Sequence, residues 1–542
     1  MRILGLIYGL NAQDCDLYPN LNTTCTLCYS FLIFTNVMAF NSVFSWVLKK
    51  RIHQIELFKK YPVEVQGELF QKLLDESALT RFGLEHNFGS IRRVQDFKKA
   101  VPIRKYEDYK DYIELLREGQ QNVLWPSRLK WFAKSSGTTD DRSKFIPVSK
   151  EALEECHYKG GKDLLSLYYQ QKPDAQLYSG KNLVIGGSSK INPFNEEGYT
   201  GDLSAIIIRN LPLWVELKRT PSRDIALMDN WEEKIEKMAR ATMNDDVTMI
   251  VGVPSWTLVL LKRILEITGE EGIMDVWPNL ELFCHGGVSF KPYRSQFEQI
   301  MGKRGINYME TYNASEGFFG IQDRLDRDDL LLMLDYGIFY EFLPMSEIDS
   351  KNPRTIGLDE VEIGENYALI LSTNSGLWRY MVGDTIRFTS RFPFRIQVSG
   401  RTKHFINAFG EELVIENADD ALKVACEHTG AVISDYTAGP VYMGDDAKGA
   451  HEWLIEFEVE PNDHCQFVSV LDDSLRILNS DYDAKRAFNL NLKEPIVKAM
   501  PRGTFYEWLK QKGKLGGQHK VPRLSNDRKY LEEVLNLYVT GE

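Results

Sequence analysis

The chain has 542 residues, of which 43% are hydrophobic and 26% charged, with 65 basic against 77 acidic side chains and a net charge of -12. That length supports a sizeable core spread over about two to four domains, and the balance excludes a disordered or fibrous polymer. An acidic surplus without a long basic run excludes bulk nucleic-acid binding, while a local basic pocket for a nucleotide stays open. Seven cysteines, an odd number scattered over the whole chain, do not form a disulfide framework and suit a reducing cytoplasm. Cys25 and Cys28 make one C-x-x-C pair with no second pair at zinc spacing, and are read as incidental.

Leu27 to Val37 is apolar except for Ser30, Thr35 and Asn36. It is too short to span a bilayer and has no clean cleavage signal after it, so no stable membrane insertion is expected. Residues 1–37 are expected to be a non-native or disordered extension, with Met38 as the true start and an amino-terminal anchor as the alternative. From Asn41 to about Leu79 apolar residues recur at helical spacing, and shorter helical signals follow around Val94 to Phe97 and Tyr106 to Leu116, broken at Pro102.

Ser135, Ser136, Gly137, Thr138 and Thr139 then precede Asp140 to Ser143 and Lys144. Hydroxyls and backbone N–H groups wrap phosphate oxygens where a glycine lets the chain come close, and a lysine adds a full charge. The spacing is not that of a Walker A loop, and a Ser/Thr-rich surface turn is the alternative. Beyond it, strand-length apolar runs alternate with helical patterns, the signature of a parallel sheet with crossover helices. Leu183 to Ile185 runs into Gly186-Gly187, Val247 to Val251 precedes a helix at Thr257 to Ile267, and Leu280 to Cys284 reaches Gly286 and Gly287 before a helix near Arg294 to Met301. Ile306 to Met309 is expected to end at Glu310 to Gly317, which holds Tyr312, Ser315 and Glu316. Open α/β sheets bind ligands at such strand ends. A ring, a hydroxyl and a carboxylate delivered together can stack on a base, bond a phosphate oxygen and hold Mg²⁺; a buried tyrosine beside a helix cap is the alternative.

Antiparallel patterning follows at Leu330 to Leu334, Ile338 to Leu343, Ala368 to Ser372 and Leu377 to Phe388. Within it, Trp378 to Asp384 ends in a Gly-Asp pair. The Asp384 carboxylate is able to accept from both hydroxyls of a ribose, and a Gly-Asp turn is the plainer reading. After Gly400-Arg401 the texture becomes a smaller α+β pattern. Cys284-His285 has no partner cluster for a metal, and no G-x-S-x-G elbow supports a hydrolase.

Taken together these patches, in this order, resemble the auxin-responsive Gretchen Hagen family of acyl acid-amido synthetases, within the adenylate-forming ligases. The resemblance covers nearly everything after Met38. It departs at Asp141 and Ser143, where that branch usually carries Gly and Pro, and at Lys403, where many relatives carry aspartate. It implies an α/β fold with a large amino-terminal domain (38–400) of mixed parallel sheets and a β-rich subdomain, and a smaller, mobile α+β carboxy-terminal domain (401–542) hinged near Gly400 to Lys403. It implies ATP and Mg²⁺ as cofactors, with the metal on Glu316. The nucleotide would lie on Ser135 to Thr139, Gly286, Gly287, Tyr312, Ser315, Asp384 and Arg401. Lys144 and Lys520, the latter in Gly517 to Arg523, would be the catalytic lysines. The partners implied are a small carboxylic acid and an amino acid, in a cytoplasmic enzyme for which a monomer suffices. An acyl-coenzyme A ligase, or a nucleotide-binding protein without turnover, are the rival readings.

Overall fold

The computed structural model describes residues 51–539 apart from 136–143, 187–191, 197, 229, 288–289, 291–292, 303–304, 349, 403–404, 407–412, 444–447, 480–481, 484–485, 487–491, 515–519 and 526. The expected extension over 1–37 lies outside these residues. The first helix described in full is Pro62–Ser77, which opens with proline in the first turn, where its missing N–H costs nothing, and turns Phe70, Leu73 and Leu74 into the core.

Strands β1 (Trp131–Ser135) and β2 (Lys144–Val148) form a hairpin around the Ser/Thr-rich stretch. They join a four-stranded sheet in the order β2-β1-β5-β4. Its other members, met after β3 (Lys181–Val184), are β4 (Asn192–Pro193) and β5 (Tyr199–Gly201). β6 (Arg219–Thr220), β7 (Val247–Gly252), β8 (Leu282–Gly286) and β9 (Asn307–Ala314) follow, and β6-β3-β7-β8-β9 pair in parallel. Crossover helices Trp231–Thr242 and Pro254–Thr268 cover this half, the second burying Leu260, Leu261 and Ile264.

The other half of the large sheet is antiparallel: β10 (Gly317–Ile321), β11 (Leu330–Leu332), β12 (Ile338–Pro344), β13 (Asn366–Thr373), β14 (Tyr380–Arg391) and β15 (Phe394–Arg401). Among the described residues this sheet has eleven strands, ordered β12-β13-β14-β15-β11-β10-β9-β8-β7-β3-β6. Two boundaries differ from the sequence reading. β9 does not stop at Met309 but runs through Tyr312 to Ala314, because Glu310 and Thr311 still pair with β8 and its far end gains β10 as an antiparallel partner. Gly383-Asp384 lies inside β14, as the Leu377 to Phe388 run expects, and not in the alternative turn. Gly400 and Arg401 belong to β15, paired with Thr385 and Asp384, so the hinge expected there begins as sheet.

After β16 (Phe405–Ile406) and β17 (Leu413–Val414), β18 (Val432–Met443) and β19 (Lys448–Val459) form a long hairpin, and β20 (Ile496–Met500) adds in parallel to β19. Helices Ile415–Thr429 and His464–Leu478 pack on it around Leu422, Trp453, Phe467 and Leu471. This core is separate from those of the large sheet, giving the expected α/β body with a smaller α+β unit. Among the described residues no helix is long and apolar enough to cross a membrane.

Candidate active site

The parallel strands β7 and β8 end side by side, with Gly252 opposite His285, and β9 continues past them with Thr311 opposite Gly286. Gly286 is required by that neighbour: a Cβ there would lie 2.4 Å from the Thr311 carbonyl oxygen. Gly287 has φ +82°, a left-handed conformation that suits glycine. A Cβ on Gly287 would stand 3.7 Å from the Lys520 ammonium, so the tail lysine of the small unit reaches this strand end.

Tyr312 and Asp384 meet directly. The buried Tyr312 hydroxyl donates to the Asp384 carboxylate at 2.8 Å, although β10, β11 and β15 lie between their strands in the sheet. Four strand spacings on a flat sheet would separate them by roughly 19 Å, so the sheet is curled between β9 and β14. A hydrogen bond to a carboxylate contributes about 1.5–3 kcal/mol, which fixes the acceptor's orientation. Arg401 pairs with Asp384 along the backbone.

Ser315 and Glu316 make the tight turn between β9 and β10. Ser315 is buried, and its hydroxyl has no hydrogen-bond partner among the described residues. The Tyr380 hydroxyl lies 3.5 Å from the Glu316 carboxylate. Burial, with Glu316 as the nearest charge, holds the Tyr380 phenol far above its usual range, so it stays a neutral donor. Ser135 and Lys144 face each other at the open end of the β1–β2 hairpin. Lys144 Nζ sits 6.0 Å from the Tyr106 ring centroid, and the Tyr106 hydroxyl accepts from the Phe145 N–H at 2.8 Å. Ser136, Gly137, Thr138 and Thr139 lie outside the described residues, as does Lys403.

Gly286, Gly287 and Lys520 thus form one group and Tyr312, Asp384 and the Arg401 backbone a second; the bond between Thr311 Oγ1 and the His285 carbonyl, 3.1 Å, ties them through β9. Among the described residues no group of three or more His, Cys, Asp or Glu is placed to hold a metal. A lone carboxylate such as Glu316 still fits Mg²⁺, which takes few protein ligands and completes its shell with phosphate oxygens and water.

Cys284 and His285 do not form a nucleophilic pair. Burial pushes the Cys284 thiol up and the His285 imidazole down to about 3, and the ring stacks on Phe290 with centroids 4.1 Å apart. The apolar residues after Tyr199 divide: Leu203, Ala205, Ile206 and Ile208 are core, whereas Leu213 and Leu217 are exposed. Several contacts had no sequence signal, among them Tyr106 beneath Lys144 and His157, whose Nδ1 lies 3.1 Å from Asn313 Oδ1. His157 ends a single π turn, Leu153–His157, a distortion frequent at functional sites.

Three family models match successive parts of the chain: the GH3 family N-terminal domain over residues 51–306, its central domain over 331–401 and its C-terminal domain over 416–529. The chain is similar to the indole-3-acetic acid-amido synthetase GH3.3 of Arabidopsis thaliana, 24% identical over 85% of this chain and 88% of that one. It is 22% identical to the jasmonoyl-L-amino acid synthetase JAR4 of Nicotiana attenuata, over 87% and 92%. The solved GH3.15 acyl acid amido synthetase superposes with a TM-score of 0.73 at 18% identity, over 89% of this chain and 95% of that one. On the matches that run from residue 51 to residue 529, this chain belongs to the GH3 family.

Proposed function

We propose that the chain is an ATP-dependent ligase that activates a carboxylic acid as its acyl-adenylate and transfers the acyl group to an amine, an amino acid. The observation that carries this is the meeting of Gly287 with Lys520 and of Tyr312 with Asp384 at one end of the curled sheet. Family membership and relatives that conjugate acids to amino acids support the same reading.

In this reading Asp384, oriented by Tyr312, accepts from the ribose hydroxyls, and the glycine turn lets the adenosine approach the backbone. Ser135, the loop over 136–139 and Ser315 donate to phosphate oxygens. The substrate carboxylate attacks the α-phosphate and pyrophosphate leaves; Lys520 and Lys144 offset the charge that builds on the phosphates while the cleft holds the attacking oxygen in line. Glu316 would hold Mg²⁺, which neutralises phosphate charge when bound. The amine then attacks the acyl carbon and AMP leaves. Small-molecule acid and amino acid are the only partners this chemistry needs, and a cytoplasmic monomer suffices for it.

A pyrophosphate-release screen of carboxylic acids crossed with amino acids tests the proposal. Release that depends on a particular acid, with an amide as product, is expected; release that needs no acid, or a thioester formed only with coenzyme A, would replace it.

A further inference from the structure

Lys520 and Arg523 share the segment that leads into the last helix, and that segment is bound to β18 of the small unit through a parallel bridge between Ala438 and Leu524. Ala438 N–H donates to the Arg523 carbonyl at 2.8 Å, Ser525 N–H to the Ala438 carbonyl at 3.0 Å, and the Thr437 hydroxyl to the Pro522 carbonyl at 2.6 Å. Where Lys520 stands is therefore decided by where the small unit docks. Arg523 is the side chain that joins the two: Nη1 lies 3.2 Å from the Asp435 carboxylate, the guanidinium lies 4.5 Å from the Tyr436 ring centroid, and Nη2 donates to the Tyr293 hydroxyl at 3.1 Å. Tyr293 belongs to the large unit, is buried, and lies six residues after Gly287.

We infer that Arg523 is a positioning residue, a latch that holds the small unit on Tyr293 and so keeps Lys520 at Gly287. This rests on the two-step reading above. The charge of Arg523 is balanced inside its own unit by Asp435, with Asp419 behind Tyr436. Among the described residues, what accepts from it across the gap is a neutral phenol. A contact that forms for one half-reaction and opens for the next is best made this way, because breaking a buried ion pair would leave a charge stranded whereas breaking this bond does not. Other polar contacts between the two units, among the described residues, include the Arg387–Glu416 pair at 2.7 Å beside the hinge, a 3.3 Å bond from Gln296 to the Ile433 carbonyl, and the Lys262–Glu458 pair at 3.2 Å, which is about one third exposed on each side and so screened by solvent.

Tyr293→Phe removes the accepting hydroxyl and keeps the ring. We expect acid-dependent ATP–pyrophosphate exchange to fall about tenfold or more, the factor a hydrogen bond from a charged donor carries, while aminolysis of a supplied acyl-adenylate and the unfolding midpoint stay unchanged. Equal loss in both half-reactions, or no loss in exchange, overturns the latch. A readout independent of turnover is Förster transfer between dyes at the exposed positions Lys237 and Asp473. Tyr293→Phe should broaden its distribution and Arg523→Lys should do the same; an unchanged distribution in both overturns the latch even if no acid supports exchange, a result that would by itself count only against the ligase reading.

Discussion

Gly286→Ala is the substitution whose effect follows most directly from the geometry. The added Cβ would come 2.4 Å from the Thr311 carbonyl oxygen and 2.9 Å from Thr311 Oγ1. Carbon tolerates a carbonyl oxygen at about 3.3 Å, so β8 and β9 must part by about 0.9 Å. Both obstacles are on one residue and one is backbone, so no side-chain rotation relieves the contact. Overpacking of this kind costs about 1–3 kcal/mol of stability, which a protein of this size survives. The functional cost is larger, because Tyr312 follows Thr311 and its 2.8 Å bond to Asp384 moves with the strand. A displacement near 1 Å of a positioning group is worth about a hundredfold in rate. The assay is acid-dependent ATP–pyrophosphate exchange beside urea unfolding, with exchange falling about a hundredfold and the fold retained. Exchange at the unaltered rate would refute the argument that the glycine keeps β9 and its tyrosine in place.

Other outcomes follow from the same structure. Asp384→Asn should raise the KM for ATP about tenfold or more, with unfolding little changed, since the amide keeps the shape and loses an acceptor. Arg379→Ala should cost about 3–5 kcal/mol in denaturant unfolding, because it removes the guanidinium paired at 2.9 Å with buried Glu341 and leaves that carboxylate the more distant Lys98, at 3.7 Å, as its cation. Burial pushes His157 down to about 4 and His285 to about 3. Both rings stay neutral in the fold while the unfolded chain protonates them below about pH 6.5, so their contribution is complete above that value and is lost progressively as pH falls from it toward the folded values of about 4 and about 3. Each should remove roughly 2 kcal/mol by pH 5, read from urea midpoints across pH, and His285→Gln should flatten that slope.

The parallel half of the sheet was legible because each strand there is a short apolar run closed by small residues, as Leu282–Gly286 shows. The sequence reading ends β9 at Met309 because nothing local marks its continuation: Asn307 to Thr311 pair with β8 on one side, and Thr311 to Ala314 with β10 on the other. Gly383-Asp384 falls within the Leu377 to Phe388 run that reads as strand, although its composition alone is that of a turn; the partner that pairs it, Gly400-Arg401, follows only after the β14–β15 bend. Side-chain meetings such as Tyr312 with Asp384 and Arg523 with Tyr293 join residues far apart in the chain and depend on the curl of the sheet and the docking of the small unit. Periodicity reports neither. The Asp, the Lys and Tyr312 of the motifs are readable as residue types; that Tyr312 orients Asp384 and that Tyr293 meets Arg523 is not.

The position of bound AMP tests the central claim most directly. A crystal structure with AMP should show the ribose hydroxyls on the Asp384 carboxylate and the phosphate between Gly287 and Lys520; AMP bound away from these three residues would contradict the account.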